Sequence, residues 1–181
     1  MQVIRTAIPE VLVIEPKVFG DDRGFFYESY NERAFGEAIG PSFRFVQDNH
    51  SRSARNVLRG LHYQIQQPQG KLVRVIAGEI YDVAVDIRRS SPTFGKWAAA
   101  VLSVSNRKMC WVPPGFAHGF LVVSDHAEVQ YKTTDYYAPQ HERCILWNDR
   151  DLAISWPLKG EPILSQKDRV GLPLRKAEVF P

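Results

Sequence analysis

Hydrophobic and polar positions alternate through the segment "YDVAVDI". Tyr81, Val83, Val85 and Ile87 fall on one face of an extended strand, and Asp82, Ala84 and Asp86 on the other. The longer run "KLVRVIAGEIYDVAVDI" reads as two strands about Ala77-Gly78-Glu79. "WAAAVLSV", "KMCWVP", "GFLVVS" and "AEVQYKTTDYY" continue the series. Gly, Pro, Asn and Asp punctuate it roughly every eight to twelve residues, the spacing of an all-β sandwich or barrel. Period three to four surfaces once, in "NERAFGEAIG". There Asn31 is placed to cap a helix, Ala34, Phe35, Ala38 and Ile39 form its apolar stripe, and Gly40-Pro41 stops it. From residue 149 onward the chain breaks into short pieces around Pro157, Pro162 and Pro173. This tail is expected to wrap a preformed barrel, with Ser165 capping a short turn at "QKDRV".

Composition narrows the class. The 181 residues suit one domain, expected over 1–181, and 44% hydrophobic with 24% charged is ordinary for a globular chain. The net charge of +3 is spread among acids, so no stripe for nucleic acid stands out. The N-terminus lacks the pattern of a signal peptide, and no apolar run reaches membrane-spanning length. Cys110 and Cys144 form neither a CxxC pair nor a disulfide framework, so reduced thiols in a cytoplasmic protein are expected.

The stretch "RGLHYQIQQPQGK" raises the chemical question. It reads as one edge of a hairpin, yet gathers Arg59, His62 and Lys71. "VPPGFAHGF" adds a rigid turn that delivers His118 to the next strand at a set point. A barrel with a histidine from each of two strand regions resembles the cupin superfamily. Pro113, Gly115 and His118 match that superfamily's second motif. In the first, Gln64 stands where a second metal-binding His is expected, and no Glu follows before Gly70. Two histidines are too few for a stable Zn or Fe(II) site, so a cupin-type jelly-roll barrel without its metal is expected.

Other residues supply a different chemistry. His62 supplies an imidazole, the side chain best suited to act as a general base. Lys71 and Arg59 can stabilise an oxyanion, Tyr131 can donate a proton, and Asp168 can orient His62. Together they suit proton transfer at a carbon beside a carbonyl. Hydrolysis would want a nucleophile or metal, and redox chemistry a cofactor motif; neither GxGxxG nor CxxC occurs. Each residue also has a plainer role open to it: Tyr131 as a packed aromatic, Lys71 as a solvated turn charge, Asp168 as a helix cap.

Seven ordered blocks decide between these. "DDRGFFYE", "QDNHS", "VLRGLHYQ", "GKLVRVIAGEIYDVAVDIRRSSPTFGKW", "VPPGFAHGF", "YKTTDYYAPQHERCILWND" and "LSQKD" together resemble the dTDP-4-dehydrorhamnose 3,5-epimerase family along essentially the whole chain. The resemblance implies cofactor-independent epimerisation of dTDP-4-dehydro-6-deoxy-D-glucose at C3 and C5, in dTDP-L-rhamnose biosynthesis. It implies His62 as base, Tyr131 as acid, Lys71 at the enolate oxygen and Asp168 as the dyad partner of His62. It further implies Arg59 at the pyrophosphate, His118 at the sugar and Tyr137 stacked on thymine, with Glu142 and Lys167 as further contacts. Arg23, Glu28, Gln47, Asp48 and Asn49 would line the nucleotide part. The segment around Arg23 would come from a neighbouring subunit, making a homodimer with shared sites. A single-carbon epimerase on a related dTDP-4-keto sugar is the alternative; a metal-dependent or purely sugar-binding cupin is a third reading.

Period two leaves one conflict. It puts Gly60, His62 and Gln64 on one face and Arg59, Leu61 and Tyr63 on the other. Arg59 and His62 can share a pocket only if the strand is irregular, and the irregularity is expected near Gly60.

Overall fold

The structure is a computed structural model that describes residues 1–181. The first third of the chain carries β1 (Gln2–Arg5), β2 (Leu12–Glu15), β3 (Phe19–Asp21), β4 (Gly24–Phe26), α1 (Glu32–Ile39), β5 (Gln47–Ala54) and β6 (Leu58–Gln64). Then come β7 (Lys71–Ala77), β8 (Glu79–Asp86), β9 (Trp97–Ser103), β10 (Met109–Val112), β11 (Phe116–Val122) and β12 (His126–Thr133). The last are β13 (Glu142–Cys144) and α2 (Gln166–Arg169).

Two antiparallel sheets make the barrel. One has six strands in the order β1-β2-β10-β7-β12-β5, and the other five in the order β13-β6-β11-β8-β9. β3 and β4 form a separate hairpin. The stretch 59–71 is not a hairpin: β6 pairs with β11 and β13, whereas β7 pairs with β10 and β12. Pro68 and the glycine at 70 carry the chain from one sheet to the other. Gly78 makes the next crossover at φ +74, where a Cβ would lie 1.9 Å from the His126 carbonyl.

The strand alternation sorts residues into three apolar layers. Val73, Val75, Ile80, Ala84, Phe116 and Phe120 belong to the layer between the sheets. Val83, Val85 and Ile87 face outward from the five-stranded sheet and are covered by Leu152, Leu174 and Ala177 of the tail. The tail therefore wraps the barrel as its composition suggested. Its burial also explains why β8 is apolar on the face away from the barrel interior. On the six-stranded sheet, Leu12, Ile14, Leu72, Met109 and Trp111 are covered by Phe35 and Ile39 of α1. That helix starts as expected: Asn31 Oδ1 accepts the Ala34 N–H at 3.2 Å, and the Gly40 N–H closes the end on the Gly36 carbonyl.

Candidate active site

A cleft of about 1010 Å³ opens between the two sheets, large enough for a nucleotide sugar. β6 enters it through a bulge. His62 pairs with His118, and Arg59 with Phe120, so Gly60 and Leu61 together oppose Gly119 alone. The extra residue resets the alternation, and both Arg59 and His62 line the cleft. Only glycines fit there. A Cβ on Gly60, at φ +115, would lie 2.6 Å from the His118 carbonyl oxygen, and one on Gly119 would lie 2.7 Å from that of Arg59. The irregularity expected near Gly60 is thus present and has a steric basis.

His62 sits beneath α2. Its Nε2 is 2.8 Å from Asp168 Oδ1. The approach lies off the ring N–H axis, so Nε2 is a close electrostatic neighbour of the carboxylate with no aligned hydrogen-bond partner. The carboxylate is positioned independently of the histidine. The Gly60 N–H donates to Oδ1 at 2.9 Å, and the Ser165 hydroxyl donates to Oδ2 at 2.6 Å within a capping box. Asp168 is therefore both the N3 member of the capping box that Ser165 opens and the partner of His62. Burial pushes its carboxyl up, but the His62 contact, the Ser165 hydroxyl and the Gly60 N–H outweigh that and hold it down at about 2.

Lys71 and Tyr131 come from the opposite sheet. Tyr131 pairs with Val73 across β12 and β7, and Lys71 lies two residues along β7 on the same face. Lys71 is no solvated turn charge: it is 8% exposed, and its Nζ reaches the His62 carbonyl at 3.5 Å. Burial lowers its pKa to about 8, with Asp82 and Glu142 pulling the other way. Burial likewise raises the Tyr131 phenol, opposed by Arg59, so it is protonated at neutral pH.

Asp82 is a buried acid beside the cleft that sequence reasoning placed on a face but did not assign. Its Oδ2 lies 2.8 Å from His118 Nε2, and both residues are buried. A carboxylate in the middle of an apolar strand needs a partner, which is the signal that could have found it. The metal motif fares differently. Gln64 donates from Nε2 to the Gln67 and Tyr136 carbonyls, and its Oε1 accepts the Ala138 N–H at 2.9 Å. Its amide is a structural clip, and the residues at the cupin metal positions do not fit a metal.

The cleft mouth carries Tyr137, Glu142 and Lys167. The Tyr137 hydroxyl donates to Glu142 Oε2 at 2.8 Å, and Lys167 meets the same oxygen. Burial raises the Glu142 carboxyl, but these two donors bring it below its usual value. Arg59 anchors on the Ser53 hydroxyl at 3.0 Å and leaves its guanidinium at the rim.

Five expected site residues stand elsewhere in this chain. Gln47 is at the rim, accepting the Tyr137 N–H at 3.0 Å and donating to Asn49 at 2.9 Å. Strand period two puts Gln47 and Asn49 on one face of β5. Asp48 faces the other side of β5 and pairs with Lys132 at 2.8 Å. Arg23, on the β3–β4 hairpin, pairs with Asp21, and Glu28 accepts from Asn31. None of the five lines the cleft of their own chain.

A family model described as dTDP-4-dehydrorhamnose 3,5-epimerase matches residues 5–176. The chain belongs to the dTDP-4-dehydrorhamnose 3,5-epimerase family. A curated member from Pseudomonas aeruginosa is 63% identical over 181 residues, spanning 100% of both chains. The dTDP-6-deoxy-D-glucose-3,5-epimerase of Legionella pneumophila, solved in complex with dTDP-4-keto-L-rhamnose, is 54% identical. It superposes with a TM-score of 0.96 over 98% of this chain and 94% of that one. ChmJ, a 3'-monoepimerase from Streptomyces bikiniensis solved with dTDP-quinovose, is 33% identical, with a TM-score of 0.89 over 94% and 87% of the two chains. Membership in this epimerase family makes the chain an isomerase with a cupin-like jelly roll. No helix is long and apolar enough to cross a membrane.

Proposed function

We propose that the cleft converts dTDP-4-dehydro-6-deoxy-D-glucose to dTDP-4-dehydro-L-rhamnose by removing and returning the protons at C3 and C5. One observation carries the reading: His62 enters the cleft from the five-stranded sheet, while Tyr131 and the buried Lys71 enter from the six-stranded one. Inversion needs a base on one face of the sugar and an acid on the other. A proton beside a ketone leaves only if the enolate oxygen is stabilised, and the Lys71 ammonium supplies that charge in a dry setting. The cycle runs through this chain's own groups. His62 takes the carbon-bound proton and becomes imidazolium beside Asp168, and Tyr131 returns a proton from the opposite side. The phenolate it leaves is then reprotonated and the imidazolium gives up its proton, which resets both groups for the second carbon.

The remaining roles follow charge and shape. Arg59 offers the forked donors that a pyrophosphate selects, and Lys167 adds a second cation. His118, fixed by Asp82, holds the sugar. Tyr137 gives the thymine an aromatic platform, with Glu142 at the mouth. Arg23 and Glu28 serve the cleft of a second copy, which is why the functional unit is a homodimer with shared sites. Residues 1–181 act as one domain. Free Cys110 and Cys144 and a nucleotide-sugar substrate fit a cytoplasmic setting.

The two-carbon reading over a single-carbon one is supported by the high identity to 3,5-epimerases, against 33% to the monoepimerase. The test is proton NMR in deuterated water with the 4-keto sugar. Two deuterons per sugar, at C3 and C5, are expected. One deuteron would overturn the two-carbon assignment, and none with folded enzyme would overturn the function. His62→Ala abolishes exchange, whereas Tyr131→Phe retains exchange and loses net inversion.

A further inference from the structure

His62 and Cys144 are partners across β6 and β13. The adjacent pair, Leu61 and Ile145, exchanges both backbone hydrogen bonds, at 3.1 and 2.9 Å. His62 and Cys144 therefore form the non-hydrogen-bonded pair, in which facing side chains stand closest. Asp168 reaches the same point from α2. One ligating atom from each of the three lies within 4.8 Å of the others. The donors are an imidazole nitrogen, a thiol sulfur and a carboxylate oxygen, a mixture that Zn²⁺ accepts. His62 Nε2 is shut off from solvent and has no hydrogen-bond partner.

We propose that His62, Cys144 and Asp168 form a Zn²⁺ site, and that metal bound there through Nε2 switches the epimerase off by leaving the ring proton on Nδ1, the nitrogen that would otherwise act as base. The switching rests on the reading of His62 as base; the site does not. Tetrahedral zinc with these donors holds its ligand atoms roughly 3.3–3.7 Å apart. The 2.8 Å approach of His62 to Asp168 has to open by roughly half an ångström, and the sulfur has to close by about one at most. Asp168 can bind through Oδ1 while Oδ2 keeps its bonds to Ser165, which orient the carboxylate as outer-shell partners do. The thiol proton leaves to solvent on binding, and water fills the fourth position.

This site shares only His62 with the one a metal-binding cupin would use. There the Gln64 amide is spent on backbone groups at both ends, and His118 is held by Asp82. Cys144 has no part in proton transfer, so changing it tests the metal without touching the base.

The experiment adds Zn²⁺ and, separately, Co²⁺ to intact enzyme. One Zn²⁺ per chain by calorimetry is expected, with inhibition in parallel that a chelator reverses. The Co²⁺ adduct is expected to show near-ultraviolet absorption from thiolate to cobalt. Cys144→Ser should keep the uninhibited rate, lose that band, and need at least about tenfold more Zn²⁺ for half-inhibition, since even outer-shell partners are worth that much. Cys144→Ala should behave alike, covering a serine that packs badly. Equal inhibition of wild type and both variants, or a cobalt adduct without the thiolate band, would overturn the site. A thiolate band with undiminished turnover would keep the site and overturn His62 as base.

Discussion

Lys71 sets a buried charge against the fold, and Lys71→Met should separate what that charge costs in stability from what it does for the proposed reaction. The ammonium is 8% exposed, and burial lowers its pKa from 10.5 to about 8. At about 1.4 kcal/mol per tenfold change in proton affinity, keeping it charged in the folded state costs about 3 kcal/mol at pH 7. Met matches the apolar stem, removes the charge, and forfeits one weak contact to the His62 carbonyl worth about 1 kcal/mol. The variant should therefore be more stable by about 2 kcal/mol, which for a chain of this size raises Tm by about 4–8 °C. The sign reverses the common case. The folded state releases this proton near pH 8 and the unfolded chain near 10.5. The destabilisation is then complete below pH 8 and is relieved as pH rises towards 10.5. Thermal unfolding of both proteins at pH 7 and pH 10, at one protein concentration, reads the gap and its narrowing. Deuterium exchange into the 4-keto sugar should fall by about 10² or more in the variant. A variant no more stable than wild type at pH 7, or a gap that does not narrow by pH 10, would refute the electrostatic argument. Full exchange activity would refute the enolate role.

Asp168→Asn leaves the cap largely in place but removes the charge beside the imidazolium, so kcat should fall by about 10²–10⁴, measured by NMR. Because Asp168 is held at about 2, its stabilising effect is present above pH 4 and is lost as pH falls from 4 towards 2. Acid unfolding should be correspondingly shallower in the variant. Gly60→Ala places a Cβ 2.6 Å from the His118 carbonyl at φ +115 and should cost about 2–4 kcal/mol in urea titrations, with activity lost alongside. Wild-type behaviour would remove the bulge from the account of the site. Arg23→Ala and His62→Ala should each be inactive. Mixed after reversible dissociation they should regain about a quarter of wild-type activity, because half the dimers are hybrids with one complete site. No recovery on mixing would refute shared sites.

Much of the site was written locally. A base, a phenol, a lysine and a partner acid can be named from "RGLHYQ", "VQYK", "QGK" and "SQKD", and period two marks the strands that carry them. Asn31 and Ser165 announce their helices because capping depends only on a few neighbouring groups. The conflict at Arg59 and His62 was also legible, since alternation cannot place both in one pocket. Its resolution was not: the bulge exists because Gly60 meets Gly119 across β11, a contact between residues far apart in sequence. The same holds for Lys71, whose burial follows from the crossover that sends β6 and β7 to opposite sheets, where a hairpin would have left it in solvent. Asp82 gained its meaning only when β8 lay beside β11 and brought it to His118. The sequence by itself determined which groups carry protons and charge, because reactivity is a property of side chains. The tertiary structure decided which of them are dry, which face one another, and at what distance. Dielectric and geometry are set by residues that the chain brings in from elsewhere.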